Sequence, residues 1–223
     1  MNKRRRLMIL KKQEGELPQG YTKVDYLQNS GTEYILLENI VPDDKLQTII
    51  TFQMNNDKFN YTNNNRFPVA KYEANNMRYR PIKIYSLNNI DFRFEIQNSN
   101  AARLSTFSGQ WDKHTLSFNE ANHYYSWDGV QYRNSVIATS LKGHNNVGLG
   151  VFGQSHATAY MQDTTSVSMK LYSLEFYDNT TNELIDKFIC CLDNKRKPCL
   201  YGIVSKITYY NIGTGEFTYG WEA

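Results

Sequence analysis

Hydrophobic and polar residues alternate over short distances along this chain, and no stretch sustains the three-to-four-residue recurrence of an amphipathic helix. β-branched and aromatic residues instead gather in short runs bounded by Asn, Asp and Gly clusters, the pattern of strands joined by tight reversals. The runs predicted as strands are Tyr34–Leu37, leading across a turn at Pro42-Asp43-Asp44 into Gln47–Phe52; Ile82–Tyr85 and Asp91–Ile96, flanking Asn88-Asn89; His114–Phe118 and His123–Trp127; Val130–Tyr132; Val147–Phe152; and Val167–Tyr177. Asp128-Gly129 is the strongest hairpin signal, because both residue types tolerate the positive φ of a two-residue type I′ turn. The run 167–177 predicts one long strand with Val167, Met169, Leu171, Ser173, Glu175 and Tyr177 on one side, and Lys170 between apolar neighbours leaves open which side faces a core. At least ten strands, with turns every 8–14 residues, predict an all-β antiparallel sandwich rather than βαβ units.

The length of 223 residues allows roughly 70% of the extended surface to be buried, enough for a core without disulfide or metal staples. No apolar run approaches the ~18 residues of a spanning helix. Leu7-Met8-Ile9-Leu10 is too short for the ~7–15-residue core of a secretory signal, so a cytoplasmic translation product is expected. The charge is unevenly placed. Lys3, Arg4, Arg5, Arg6, Lys11 and Lys12 carry six positive charges with no acid among the first twelve residues, leaving 19 basic and 22 acidic residues in the remainder. The basic balance therefore belongs to an arm, residues 1–16, that ends at Leu17-Pro18-Gln19-Gly20. It does not mark the body, residues 17–223, as a nucleic-acid binder.

Cys190, Cys191 and Cys199 form an odd, closely spaced set with no Cys-x-x-Cys pair and no histidine nearby, which argues against zinc and for buried free thiols. The best acidic constellation is Asp91-Phe92-Arg93-Phe94-Glu95, where Asp91, Arg93 and Glu95 share a strand face. Asp91 and Glu95 lie roughly 13 Å apart along such a strand, against the about 5–5.5 Å of a retaining glycosidase pair, so a surface charge ladder is the expectation. His114, His123, His144 and His156 are scattered, and no nucleophile elbow, His-Glu-x-x-His or phosphate loop occurs. No catalytic residue, cofactor or metal site is expected; Asp43, Asp44 and Asp57 are the carboxylates a calcium ion would need.

Two phrases carry a family resemblance. The opening Gly20-Tyr21-Thr22-Lys23-Val24-Asp25-Tyr26-Leu27, followed by Ser30-Gly31-Thr32-Glu33-Tyr34-Ile35, resembles the start of concanavalin A-like (LamG-type) jelly-roll domains from gut bacteria and their phages. The ending is similar too: Met169–Asp178 resembles the family's "RIYSFKIYD" strand, and Phe188-Ile189-Cys190-Cys191 stands at its "F-V-P-C". Tyr201, Val204, Tyr209-Tyr210-Asn211 and Gly213-Thr214-Gly215-Glu216-Phe217 follow "Y-D-T-V … F-Y-x-N-x-G-T-G-x-F". The resemblance spans residues 17–223 and implies a two-sheet jelly roll used for binding on surfaces and virions. Arg4-Arg5-Arg6-Leu7-Met8 is similar to the starts of small phage structural proteins that carry this domain.

The expectation is a non-enzymatic virion protein, made in the host cytoplasm, serving as a head fibre, capsid decoration or tail-associated module. The alternative is a carbohydrate-binding lectin module of a bacterial surface protein. The arm combines charge with apolar anchors. A membrane or nucleic-acid contact would use the charge alone, whereas docking into another virion protein would use Arg4, Arg5, Arg6, Leu7, Met8, Ile9, Leu10, Lys11 and Lys12 together. Self-association as a dimer or trimer is expected, with no membrane or nucleic-acid partner. For a host polysaccharide, the candidate contacts are Tyr125, Trp127, Asp128 and Tyr132, since sugars bind by stacking on aromatic rings beside hydrogen-bonding groups. Alternation puts Tyr125 and Trp127 on one face and Tyr124 on the other, and one of those faces must serve the core.

Overall fold

The computed structural model describes residues 17–43, 45–55, 68–72, 78–86, 90–96, 99–104, 112–119, 124–133, 148–156 and 168–221; within 71–104 and at a few other strand positions it describes the backbone alone. The described residues form strands and no helix: β1 (Thr22–Lys23), β2 (Tyr26–Gln28), β3 (Ile35–Leu37), β4 (Leu46–Met54), β5 (Val69–Tyr72), β6 (Arg78–Ser86), β7 (Ile90–Ile96), β8 (Ser99–Leu104), β9 (Lys113–Asn119), β10 (Tyr124–Trp127), β11 (Val130–Arg133), β12 (Leu149–Val151), β13 (Gln154–His156), β14 (Met169–Asp178), β15 (Glu183–Leu192), β16 (Pro198–Gly202), β17 (Thr208–Tyr210) and β18 (Thr218–Gly220).

They make two sheets. The larger runs β11-β10-β9-β4-β14-β15-β16-β17, with β1 beside β15 and β2 between β14 and β18; the smaller runs β3-β12-β5-β6-β7-β8, with β13 beside β5. Every ladder among the described residues is antiparallel except β13 with β5. Tyr34–Leu37 and Gln47–Phe52, neighbours in sequence, therefore separate: β3 joins the smaller sheet and β4 the larger. The β6–β7 pair matches its expectation, with Ser86 opposite Ile90, although the Asn88-Asn89 turn falls outside the described residues. Pro81, which has no N–H to give a ladder, sits where the β6–β7 register slips between Arg80 and Lys83.

The core lies between the sheets. One cluster joins Ile50, Phe52, Leu116, Leu174 and Phe176 of the larger sheet to Ile35, Leu37, Val69, Leu149 and Val151 of the smaller. On β4 the alternation is unbroken: Leu46, Thr48, Ile50, Phe52 and Met54 are buried and the residues between them half-buried. Each fully buried large side chain contributes about 1.5–3 kcal/mol of transfer free energy, so this facing set is the main cohesive term.

β14 departs from the single alternating face expected of it. Met169 and Leu171 are buried, but so are Leu174 and Phe176, whereas Glu175 and Tyr177 lie on the opposite, half-buried side. The β4–β14 register shifts between Leu171 and Ser173. The extra residue of this bulge inverts the facing of everything after it, because a strand's side-chain period is two.

A second apolar cluster forms on the outer side of the larger sheet. Cys190 and Leu192 point into the main core, whereas Cys191 joins Cys199, Tyr201 and Ile203 beneath Leu17 and Tyr21. All three thiols are free and buried, as the sequence suggests, and Cys191 Sγ lies 3.5 Å from Cys199 Sγ across the β15–β16 ladder. Burial pushes the Cys190 thiol up to about 12; a hydrogen bond with Cys191, then burial, raise Cys199 as well, so both stay protonated at neutral pH.

Asp186, fully buried on β15, organises the turn that follows β16. Its carboxyl group accepts the N–H groups of Lys187 (2.8 Å), Val204 (2.9 Å) and Ser205 (3.4 Å). Gly202 makes the space: a Cβ there would stand 2.6 Å from Asp186 Oδ2. Asp186→Ala is expected to lower unfolding free energy by about 2–4 kcal/mol, since three backbone N–H groups lose the buried carboxyl group that accepts them. Urea denaturation measures it, with a shifted midpoint and an unchanged m-value.

Candidate functional site

Two loops distant in sequence clasp each other at one end of the body. The first, Ser30–Tyr34, joins β2 to β3, and the second, Asn211–Phe217, joins β17 to β18. Asn211 Oδ1 accepts the N–H groups of Tyr34 (3.0 Å) and Gly213 (2.8 Å), while Asn211 Nδ2 donates to the Gly215 carbonyl at 2.5 Å. The backbone adds Ile212 N–H to Tyr34 O at 3.0 Å and Thr214 N–H to Thr32 O at 3.3 Å. Two glycines permit this approach: a Cβ at Gly213 would lie 2.0 Å from Thr32 O, and one at Gly215 would lie 2.0 Å from Glu33 Oε1.

Glu33 is buried within the clasp. Burial works to raise its pKa, but the hydrogen bonds from Ser30 N–H (2.6 Å), Ser30 Oγ (3.0 Å) and Thr32 N–H (3.3 Å) together outweigh it and hold the carboxylate below its ordinary 4.5. Buried Asn29 extends the network into the large sheet, accepting Met169 N–H at 2.9 Å and donating to Glu33 O at 3.3 Å.

Beside the clasp opens a cleft of about 380 Å³, with the turn between β15 and β16 as its other wall. Asp193 builds that turn. Its carboxylate accepts the N–H groups of Lys195 and Lys197, both at 2.8 Å, and the Tyr210 hydroxyl at 2.9 Å. Burial tends to raise the Asp193 pKa, yet these donors and the nearby Lys195 charge bring it below the usual carboxylate value. The same bond and burial push the Tyr210 phenol up.

The backbone thus held projects Lys195, Arg196 and Lys197, all exposed, towards Gly213, Gly215 and Glu216 across the cleft, with Phe217 buried at its base. Arg196 lies over the Trp221 ring at 5.2 Å and Lys197 over the Tyr210 ring at 4.9 Å. Trp221 is 52% exposed. Among the described residues no acid forms a salt bridge with any of the three cations.

The residues singled out from the sequence fall elsewhere. The Asp128-Gly129 turn forms as expected, with φ of 49° and 81° and Trp127 opposite Val130. Its aromatic residues do not face solvent: Tyr125 and Trp127 are each 4% exposed and belong to the main core, Trp127 meeting Phe52 edge-on. Alternation had left both faces open, and the core takes this one because the opposite face of β9–β10 carries Thr115, Ser117 and Ser126. Neither ring can stack on a sugar. Asp128 is engaged with the neighbouring strand β9, accepting from Thr115 N–H at 2.8 Å and pairing with His114 Nδ1 at 2.7 Å. The side chain of Tyr132, and the docking residues Arg4, Arg5, Arg6, Leu7, Met8, Ile9, Leu10, Lys11 and Lys12, lie outside the described residues.

On β7, Glu95 pairs in register with Arg80, and Arg93 stands between Lys83 and Arg103. Asp43 caps its own turn by accepting Lys45 N–H at 2.9 Å, Asp44 and Asp57 fall outside the described residues, and no group of three metal-ligating side chains occurs among those described. The cationic cleft went unnoticed in the sequence, where its signal was the run Lys195-Arg196-Lys197-Pro198.

Neither a protein-family model nor a curated protein matches the chain. The chemistry of the cleft is therefore read from its own residues. It offers positive charge on one wall and the Glu216 carboxyl group on the other, while the Asn211 amide is spent in the clasp and Phe217 closes the floor from within the core.

Gly213→Ala is expected to cost about 2–3 kcal/mol, because the new methyl meets backbone rather than a side chain that could turn away. A drop in Tm by differential scanning calorimetry checks it. The lowered Glu33 pKa has a signed consequence. Its stabilising contribution is full above the unfolded value near 4.5 and is lost as pH falls through the folded value. Acid unfolding curves of Glu33→Gln should accordingly be flatter below about pH 4.5 than those of the wild type.

Proposed function

We propose that this chain is a non-catalytic binding and display module: a concanavalin A-like jelly roll that serves as a virion structural protein, as a head fibre, capsid decoration or tail-associated part. The observation that carries this reading is that the two phrases behind the family resemblance, Ser30-Gly31-Thr32-Glu33-Tyr34 and Asn211-Ile212-Gly213-Thr214-Gly215, interlock in space. Residues so far apart in sequence that form one tertiary unit are what a shared fold requires.

Residues 1–16 anchor the module to other virion proteins. Leu17, the residue next to that arm, packs on the outer cluster of the large sheet, which gives the arm a rigid root. The body associates with copies of itself, and many weak contacts to host glycans add up through avidity. The second reading, a carbohydrate-binding module of a bacterial surface protein, is favoured by the cleft between Lys195–Lys197 and Gly213–Glu216.

A chain lacking residues 1–16 should fold with the wild-type Tm yet be missing from purified particles when it replaces the full chain in an infected host. Mass spectrometry of the particles reads the outcome. Normal incorporation of the truncated chain removes the anchor, and absence of the full chain from wild-type particles removes the virion reading.

A further inference from the structure

We propose that Cys191 and Cys199 are a redox-modification site: a peroxide joins their sulfurs in a cross-strand disulfide that locks the hairpin carrying Lys195, Arg196 and Lys197. The inference goes beyond the virion reading and does not depend on it, since the free chain suffices to test it.

The pairing follows from register. Cys191 of β15 stands directly opposite Cys199 of β16. Residues so opposed have Cα atoms about 4.5–5.5 Å apart, inside the about 4.4–6.8 Å that a disulfide spans. Both side chains leave the same face of the sheet, and their sulfurs lie 3.5 Å apart. Each sulfur also reaches across the ladder to the other residue's carbonyl oxygen, Cys191 Sγ at 3.6 Å and Cys199 Sγ at 3.5 Å. Rotation of the two side chains brings the sulfurs to the about 2.05 Å of a bond. The third thiol does not compete: Cys190 faces the inter-sheet core, with its Sγ 3.2 Å from Leu171 O on β14.

The pair is covered by a short segment and not by the inter-sheet core. Leu17 and Tyr21 form the roof, Tyr21 edge-on to Tyr201 at 5.8 Å and its hydroxyl 3.0 Å from Thr208 Oγ1. Local opening of one such segment costs less than global unfolding, so a water-sized oxidant reaches the sulfurs while the sheets stay packed. Burial and the hydrogen bond with Cys191 hold Cys199 protonated, so closure is slow at neutral pH and quickens as pH rises.

The step balances with hydrogen peroxide as the two-electron acceptor. One sulfur, as thiolate, attacks a peroxide oxygen; the O–O bond breaks, hydroxide leaves and a sulfenic acid forms. The second thiolate attacks that sulfur, the S–S bond forms, the S–O bond breaks and hydroxide leaves again. The two thiol protons convert both hydroxides to water. The disulfide then closes a ring around the Asp193 turn, where two unfavourable features meet. Three consecutive cations stand together without a salt bridge among the described residues, and Arg196 has a φ of 67°, in the left-handed region. A covalent tie at the base of that turn opposes its opening.

The test treats the full chain, purified in reductant and then freed of it, with a few equivalents of hydrogen peroxide. Remaining thiols are alkylated in urea and the tryptic peptides sequenced by mass spectrometry. The native chain should yield residues 188–195 linked to residues 197–206 through Cys191 within one monomer, with Cys190 alkylated. The same oxidation carried out in urea should link Cys199 to Cys190 as readily as to Cys191, because rings differing by one residue close at nearly equal entropic cost. The oxidised native chain should melt about 5 °C above the reduced one, a gain reversed by dithiothreitol and absent when Cys199→Ala is treated in the same way. No linkage in the native chain overturns the site, and so does linkage through Cys190 or between chains. A linkage that leaves Tm unchanged or lowers it overturns the lock. Particle incorporation plays no part in any of these outcomes, so failure here is distinct from failure of the virion reading.

Discussion

The clasp between Ser30–Tyr34 and Asn211–Phe217 is the constraint on which the rest of the body depends. It joins the entry to β3, a strand of the smaller sheet, to the connection between β17 and β18, two strands of the larger one. Sheets pressed together by apolar burial alone can slide, because the hydrophobic term has no direction. Hydrogen bonds from Asn211, and the close approach made by Gly213 and Gly215, do have direction and so set the relative position of the two layers at this end. Glu33 gives the clasp a charged centre, and its burial is tolerated because three donors converge on it.

The same constraint shapes the cleft. One wall is the outer side of the clasp loop, and the other is the Asp193 turn, itself braced through Tyr210 on the strand that leads into that loop. Each wall is thus an extension of a hydrogen-bonded unit rather than a free loop. Cations presented from a fixed backbone act as a preorganised field, whereas the same residues on a mobile tail would have to be ordered by the ligand. The molecule therefore carries clustered positive charge in two places: a run within residues 3–12 of the sequence and a triplet at 195–197 whose backbone Asp193 holds.

The large sheet is also divided in function along its outer face. Across β4, β9 and β14 that face is polar, with Thr51 bonded to Thr115 at 3.0 Å, Gln47 to Ser117 at 3.0 Å and Tyr172 to Gln53 at 2.9 Å. Across β15, β16 and β17 it is apolar and roofed by Leu17 and Tyr21. Cys191 and Cys199 are buried by that roof and not by the inter-sheet core, which is how two adjacent cysteines, Cys190 and Cys191, come to be buried on opposite sides of one strand.

What the sequence determined by itself was everything governed by local period and local turn chemistry. The strands at β4, β9 and β10, the Asp128-Gly129 hairpin with its two positive φ values, the all-β class and the buried free thiols follow from residues close together in the chain. Tertiary structure decided what local pattern leaves degenerate. It turned Tyr125 and Trp127 to the core rather than to solvent, since alternation defines two faces without ranking them. It inserted the bulge at Leu171–Ser173 that carries Leu174 and Phe176 inward, which no residue of β14 announces because the slip exists only against β4. It also brought residues 195–197 within reach of 213–216, a juxtaposition set by hydrogen bonds between β16 and β17 and by the Asn211 clasp, and therefore invisible until the chain is folded.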